Sequence, residues 1–350
     1  CQRIQMPENR ADAEIRDDRQ LQVVAKDRLN IGVLGAGPIA QFAHLESCQK
    51  AANANLFAIC DVADDLLARV SAYYAPEKIY TDYAAMLDDA SLDAVIVATA
   101  DAYHVPMAIE ALEAGKHVLV EKPVGANVDE IQDLDHAAKK AGLICLPGHN
   151  YIYEQTLIRS RELVQQGKLG KLVAAYVLYN IHHPEEVAAL YPGVIRQIMT
   201  HHAYILLFLA GKPVSLSAMK ATLHYDEIPQ EDIAMVNLRL ESGALAHFCA
   251  SFAADDHAAD PWTVMIKLIG TEGSTRYSYR DWVELKPGAV HSQTYSAYPG
   301  SIANEIAHFI TCVRGNAQPL STLSDAIAAQ RIVEACEQSA ESGRNVEIEY

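Results

Sequence analysis

The stretch GVLGAGPIA, Gly32 to Ala40, restricts the fold more than any other part of the chain. A run of strand formers ends in Gly35-Ala36-Gly37-Pro38-Ile39-Ala40, and the helical QFAHLESCQKAA follows at once. Gly35 permits a tight turn, Gly37 lets phosphate oxygens approach the backbone, and the small Ala40 lets helix pack closely on strand. Pro38 suits a first helical turn, where its missing N–H is no loss. The free N–H groups and positive end of such a helix are a ready site for a pyrophosphate. A glycine-rich turn without a ligand is the competing explanation, and the next strand argues against it. NLFAICD ends in Asp61, about 24 residues after Gly37, where a carboxylate accepts hydrogen bonds from adenosine ribose hydroxyls. That carboxylate repels a 2′-phosphate and no arginine follows it directly, so NAD is the expected cofactor rather than NADP.

The texture around this turn extends it to a domain. LDAVIVATA, KHVLVEKP and GLICLPGHN are further short apolar runs, separated by the amphipathic VPMAIEALEAG and DEIQDLDHAAKKA. Buried runs alternating with helices predict a doubly wound parallel sheet, a Rossmann domain, over 29–149. From residue 150 the pattern changes to longer strands of period two, such as LVAAYVLYNIHH and DIAMVNLRLESGALAHFCASF, the latter bent at ESGA. The expected fold class is therefore α/β, with an α+β second domain over 150–350 built on a large, mostly antiparallel open sheet. Residues 1–28 are polar, rich in Arg, Asp and Gln, and read as a loosely packed extension. A start at Cys1 rather than Met leaves the first residue of the natural chain open.

Composition removes several classes of function. A net charge of −17 and a pI near 5.2 oppose a phosphate-backbone partner, because nucleic-acid binders carry a basic face. No apolar run reaches the ~18 residues that span a bilayer. Among the seven cysteines no C-x-x-C pair occurs, and Cys48, Cys60, Cys145, Cys249, Cys312 and Cys336 lie in apolar or helical stretches. Reduced thiols in a cytoplasmic enzyme are expected.

The strand KHVLV ends in Glu121, Lys122 and Pro123. At the carboxyl end of a parallel sheet these residues open onto the crevice where such sheets bind ligands. A lysine there suits hydride chemistry at a carbinol carbon. Partial burial and a nearby oxidised nicotinamide both lower its pKa, so that it removes the hydroxyl proton as hydride leaves carbon.

Together these residues resemble the glucose–fructose oxidoreductase (Gfo/Idh/MocA) family from about Leu29 to the C-terminus. NIGVLGAGPIA is similar to the family's opening, and DAVIVATADAYHVPMAIEALEAGKHVLVEKP to its central block. GKLGKL and EACEQSAESGRNVEI are similar to later segments. The resemblance implies that Gly35, Ala36, Gly37, Pro38 and Ile39 wrap the pyrophosphate and that Asp61 holds the ribose. It places Thr99, Ala100, Asp101 and His104 in the loop beside the cofactor, with Ala100 where a proline is frequent. It also implies that Glu121 meets the nicotinamide ribose region, that Lys122 is the catalytic acid/base, and that the Lys122–Pro123 bond is cis. The family's D-x-G-x-H motif aligns with RQIMTHHAYILLFLAG so that His201 keeps the histidine. Gln197 stands at the aspartate position and Met199 at the glycine. An amide hydrogen-bonds a hydroxyl but takes no proton at neutral pH. His201 then assists as base, or Lys122 acts alone. The arginine frequent after the last parallel strand is also missing, with NYIYEQ in its place.

The pairs His182-His183 and His201-His202 raise the question of a metal, but no carboxylate or cysteine falls at a ligand spacing around them, and none is expected. Period two puts Tyr176, Asn180 and His182 on one strand face. If that face lines the pocket, they contact a hydroxyl-rich substrate such as a sugar or cyclitol. If not, the face is solvated or an interface. Three functions fit: an NAD-dependent dehydrogenase of a sugar, cyclitol or related polyol; a redox-assisted glycosidase working by oxidation and elimination; and a non-catalytic sensor that only binds cofactor. The second sheet has one face without a helix, so a homodimer or homotetramer is expected.

Overall fold

The computed structural model describes residues 28–253, 262–278 and 294–350. Apart from Arg28, the expected N-terminal extension lies outside the described residues. The chain opens on β1 (Leu29–Leu34), whose glycine turn leads to a π-helical turn, Ala40–His44, and helix α1 (Leu45–Lys50). There follow β2 (Ala54–Cys60), α2 (Asp64–Tyr74), β3 (Lys78–Tyr80), α3 (Tyr83–Leu87), β4 (Ala94–Val97) and α4 (His104–Glu113). Next come β5 (His117–Val120), α5 (Val128–Ala141) and β6 (Cys145–Pro147). All pairings in this sheet are parallel, in the order β3-β2-β1-β4-β5-β6. Successive residues of β4 feed opposite cores: Ala94 and Ile96 join one cluster, Val95 and Val97 the other. That explains the unbroken apolar runs, since both faces are covered. The strand order reverses between β1 and β4, so their carboxyl ends frame the crevice.

A 3-10 turn, Asn150–Tyr153, and α6 (Gln155–Gln165) lead into the second sheet. β7 (Leu172–Ile181) is followed by α7 (Glu185–Ala188), α8 (Val194–Ala210), β8 (Pro213–Ala221), β9 (Ile233–Leu240) and β10 (Leu245–Ser251). Then come β11 (Trp262–Gly270), β12 (Ser274–Ser278), α9 (Thr294–Val313), α10 (Leu323–Ser342) and β13 (Val346–Glu347). The strand order is β12-β11-β7-β10-β9-β8-β13, antiparallel except for β7 beside β10. The bend at ESGA is a hairpin: Leu240 N–H donates to Ala244 O at 2.9 Å, and Gly243 takes φ +84°. α8 is apolar on nearly every side because it lies between this sheet, α6 and α10. α9 packs on the π-helical turn and α1, and α10 on α5, so both late helices join the two sheets' domains.

The other face of the second sheet carries a register-aligned row, Met219–Met235–Cys249–Leu178–Met265, across five strands. Met219 is 77% exposed and Met235 47%. Among the described residues no helix is long and apolar enough to cross a membrane, and the six described cysteines are free thiols.

Candidate active site

The glycine turn has the form a dinucleotide requires. Gly35 sits at φ +95° with its N–H on Cys60 O at 2.8 Å, and a Cβ there would stand 2.5 Å from Ala98 O. At Gly37 a Cβ would meet nothing within 4 Å, so the backbone is open to a ligand. Ala40 is fully buried against the sheet. Asp61 stands beside the turn, its carboxylate accepting from Ala36 N–H at 2.7 Å and Ala63 N–H at 2.9 Å. Open backbone at Gly37 and an acidic group at the end of β2 fit a bound dinucleotide.

Two loops and helix α8 meet at Lys122. The Thr99–Asp101 loop after β4 is tied to the loop after β5 by His104, whose ring nitrogens face Pro123 O at 2.7 Å and Thr99 O at 3.1 Å. His104 is buried and so braces the two loops, while Asp101 is exposed at their rim. The Lys122–Pro123 bond is cis. Glu121 is buried, with Oε1 on His44 Nε2 at 2.6 Å and Oε2 accepting from Lys122 N–H at 2.9 Å. Burial alone would raise the Glu121 carboxyl; His44 and Lys122 outweigh it and hold the group below its ordinary range. Burial pushes the Lys122 ammonium below the ordinary lysine range, against the charges of Glu121 and Asp101. Its Nζ donates to Gln197 O at 3.3 Å.

Gln197 and His201 both lie on α8, one turn apart. Lys122 meets the main chain of Gln197, and the Gln197 Oε1 is buried with no hydrogen-bond partner among the described residues. His201 is buried, its Nδ1 2.7 Å from Tyr204 Oη and its ring edge-on to Tyr151. Burial first, then the Lys122 charge, hold its pKa well below the ordinary histidine value, so the ring is neutral. Arg196 fixes the start of α8, with a two-pronged contact to Glu337 at 2.6 and 2.8 Å and a third N–H on Ala126 O at 2.7 Å. Ala126 belongs to the loop that follows Pro123, so one guanidinium links the elements bearing Lys122 and His201.

The strand-face reading requires a correction. Ala175, Val177 and Tyr179 of β7 face α8, and Tyr179 packs on His201 with ring centroids 5.4 Å apart. Tyr176 and Asn180 are on the opposite face, where Asn180 Oδ1 meets Cys249 Sγ at 3.9 Å, so neither lines this site. The assumption that the polar face is the pocket face fails because α8 covers the inner face and demands apolar residues there. His182 lies past the strand end against the ring of His224. His202, rather than pairing with His201, puts its ring nitrogens on the carbonyls of Ile198 and Cys249 at 3.1 and 3.0 Å.

Sequence reading passed over His44, Tyr151, His183 and Tyr191. His183 is pushed down to about 4 by burial, by His182 and by Lys122, which places it within the field of the lysine. Tyr191 is raised by burial and by Asp101, and its ring leans on His183 with centroids 5.6 Å apart. His183 was the half of a noted histidine pair that the opposite strand phase would have selected. His44, inside a helix, carries no periodic signal.

Two family models match the chain: the NAD-binding Rossmann-fold domain of the Gfo/Idh/MocA oxidoreductase family over residues 29–149, and the Gfo/Idh/MocA C-terminal domain over 157–276. Myo-inositol 2-dehydrogenase from Thermotoga maritima is 26% identical over 335 residues, covering 92% of this chain and 99% of that protein. A glycosyl hydrolase family 109 protein from Shewanella sp. (strain W3-18-1) is 31% identical over 170 residues, 45% of this chain and 36% of its own length. Among solved structures, a probable dehydrogenase from Thermotoga maritima superposes with a TM-score of 0.82 at 25% identity, covering 91% of this chain and 98% of that one.

Proposed function

The chain belongs to the Gfo/Idh/MocA oxidoreductases, and we propose that it is an NAD-dependent dehydrogenase acting on a carbinol carbon of a sugar, cyclitol or related polyol. The observation that carries this reading is the setting of Lys122, an amine depressed by burial at the mouth of the crevice beside a neutral His201. Gly35 to Ile39 would hold the pyrophosphate and Asp61 the adenosine ribose. Bound NAD supplies the hydride acceptor. In oxidation Lys122 takes the hydroxyl proton, and in reduction its ammonium polarises the carbonyl and returns the proton. Its bond to the Gln197 carbonyl aims Nζ at one place in the crevice. Gln197 Oε1, buried and without a donor among the described residues, suits a substrate hydroxyl, since an unpaired buried acceptor is otherwise unfavourable. His201 offers a ring nitrogen as a second acceptor. A polyol substrate supplies donors at such spacing. A neutral amide at position 197 and a neutral His201 leave Lys122 to move the proton.

The test is a panel of polyols and glycosides followed at the NADH absorbance band. Net NADH from a polyol supports the dehydrogenase. Aglycone release from a glycoside with no net NADH supports the redox-assisted glycosidase, which the similarity to the family 109 protein favours. Cofactor binding with neither product would leave a sensor. A cytoplasmic homo-oligomer, closed through the methionine-bearing sheet face, is part of the proposal.

A further inference from the structure

His201 donates no hydrogen to substrate from Nε2 if its hydrogen is held on Nδ1, and a buried chain of side chains running to α9 bears on which nitrogen holds it. Ser301 Oγ lies 2.7 Å from the main-chain oxygen of Tyr298, an atom that can only accept. The single hydroxyl hydrogen of Ser301 is therefore committed to that carbonyl. Asn150 meets the same Oγ at 2.7 Å and must present its Nδ2 there as donor. Its Oδ1 is then turned to Tyr204, 3.1 Å away, and accepts the phenol hydrogen. Tyr204 has thus spent its hydrogen, and its oxygen faces His201 Nδ1 at 2.7 Å as an acceptor, while Tyr151 N–H also points at it from 3.4 Å. Nδ1 must carry the hydrogen, and Nε2 keeps the lone pair. Every member is buried: Ser301 is wholly enclosed, Asn150 2% exposed, Tyr204 2% and His201 1%. Bulk solvent therefore does not reach the chain to reverse it.

We propose that Tyr204 is a positioning residue which, with Asn150 and Ser301, locks His201 as the Nδ1–H tautomer, so that Nε2 acts as a hydrogen-bond acceptor for a substrate hydroxyl. The polarity of the catalytic imidazole is set by a main-chain carbonyl on another helix. His201 orients the hydroxyl, and Lys122 carries the proton. The kinetic part of this proposal rests on the dehydrogenase reading; the tautomer does not.

The experiment is nitrogen-15 NMR of the full-length protein labelled at histidine, with NAD present, His201 being assigned by its loss in His201→Ala. The expected result is a protonated Nδ1 and an unprotonated Nε2 from pH 6 to 9. Tyr204→Phe and Ser301→Ala should each give a mixture of tautomers. Either variant should lower kcat roughly ten-fold, less than outright loss of an acid/base group, and leave NAD affinity within two-fold. A His201 that carries its hydrogen on Nε2 in the wild type overturns the proposal. So does a Ser301→Ala protein, folded by circular dichroism, whose His201 spectrum and pH profile are both unchanged. If no polyol yields NADH, the dehydrogenase reading fails while the NMR result still decides the tautomer.

Discussion

Replacing Lys122 by methionine should yield a protein that is more stable and almost inactive. The amine is depressed by burial and, among the described residues, donates to the Gln197 carbonyl at 3.3 Å. A lysine whose folded pKa lies below its unfolded value of 10.5 is disfavoured by folding wherever it is protonated. The destabilisation is absent above the unfolded pKa, grows as pH falls toward the folded pKa, and is constant below it. Methionine keeps the unbranched stem and removes the charge. Replacing a buried ion pair whole by apolar groups commonly gains ~1–4 kcal/mol; here the Glu121 carboxylate stays, held by His44 at 2.6 Å, so the low end, about 1–2 kcal/mol, is expected. At roughly 2 °C per kcal/mol for a chain of this size, Tm rises by about 2–4 °C at pH 7. The gain should shrink toward zero as pH passes the unfolded value. Turnover should fall by about two to four orders of magnitude, ~3–5 kcal/mol in barrier. Differential scanning calorimetry across pH and steady-state NADH formation measure the two arms, with NAD titration as control. A lower Tm at neutral pH would show that the ammonium is a net stabiliser through Glu121, and turnover within three-fold of wild type would remove Lys122 from the chemistry.

Three further outcomes are expected. Asp61→Ala should narrow the preference for NAD over NADP in calorimetric titration, and tighter binding of NADP by the wild type would overturn the assignment of Asp61. Gln197→Ala should raise KM by an amount worth roughly 1–2 kcal/mol with kcat little changed, since it removes a hydroxyl partner and no proton carrier; an equal fall in kcat would instead make the amide part of the transition state. Met219→Glu together with Met235→Glu should shift an oligomer toward monomer in light scattering, because both face outward on the uncovered sheet; a wild-type monomer at micromolar concentration would contradict the interface.

The parallel sheet was legible because each of its constraints is local. A strand buried on both faces must be apolar throughout, and a turn that admits phosphate must be glycine at Gly35, where a side chain would strike Ala98 O. Asp61 and Lys122 could be read for the same reason: each closes a strand whose carboxyl end the topology aims at the crevice. The second sheet was legible as strands and as a hairpin, but not in phase. Period two divides β7 into two faces without saying which one α8 will cover. The polar set, Tyr176 and Asn180, looked like a pocket and is the outer surface. An inner face of Ala175, Val177 and Tyr179 is what a buried helix requires, and a bare strand sequence states only the alternation.

What the sequence withholds most completely is the direction of hydrogen bonds. His201 could be aligned from its distance to Gly211, yet nothing local says which ring nitrogen is protonated. That depends on Tyr204 in the next turn, on Asn150 in the 3-10 turn after β6, and on Ser301 and the Tyr298 carbonyl in α9. Each of these taken singly reads as an ordinary polar residue in an apolar stretch. Only their closure on an atom with no hydrogen to give makes the order of donors determinate. The same holds at Glu121, where the partner is His44 on the π-helical turn beyond the glycine loop. A reader of the chain can place Lys122 at the carboxyl end of its strand. The groups around it are fixed by packing between segments 54 to 151 residues apart, and composition or periodicity leaves no trace of them.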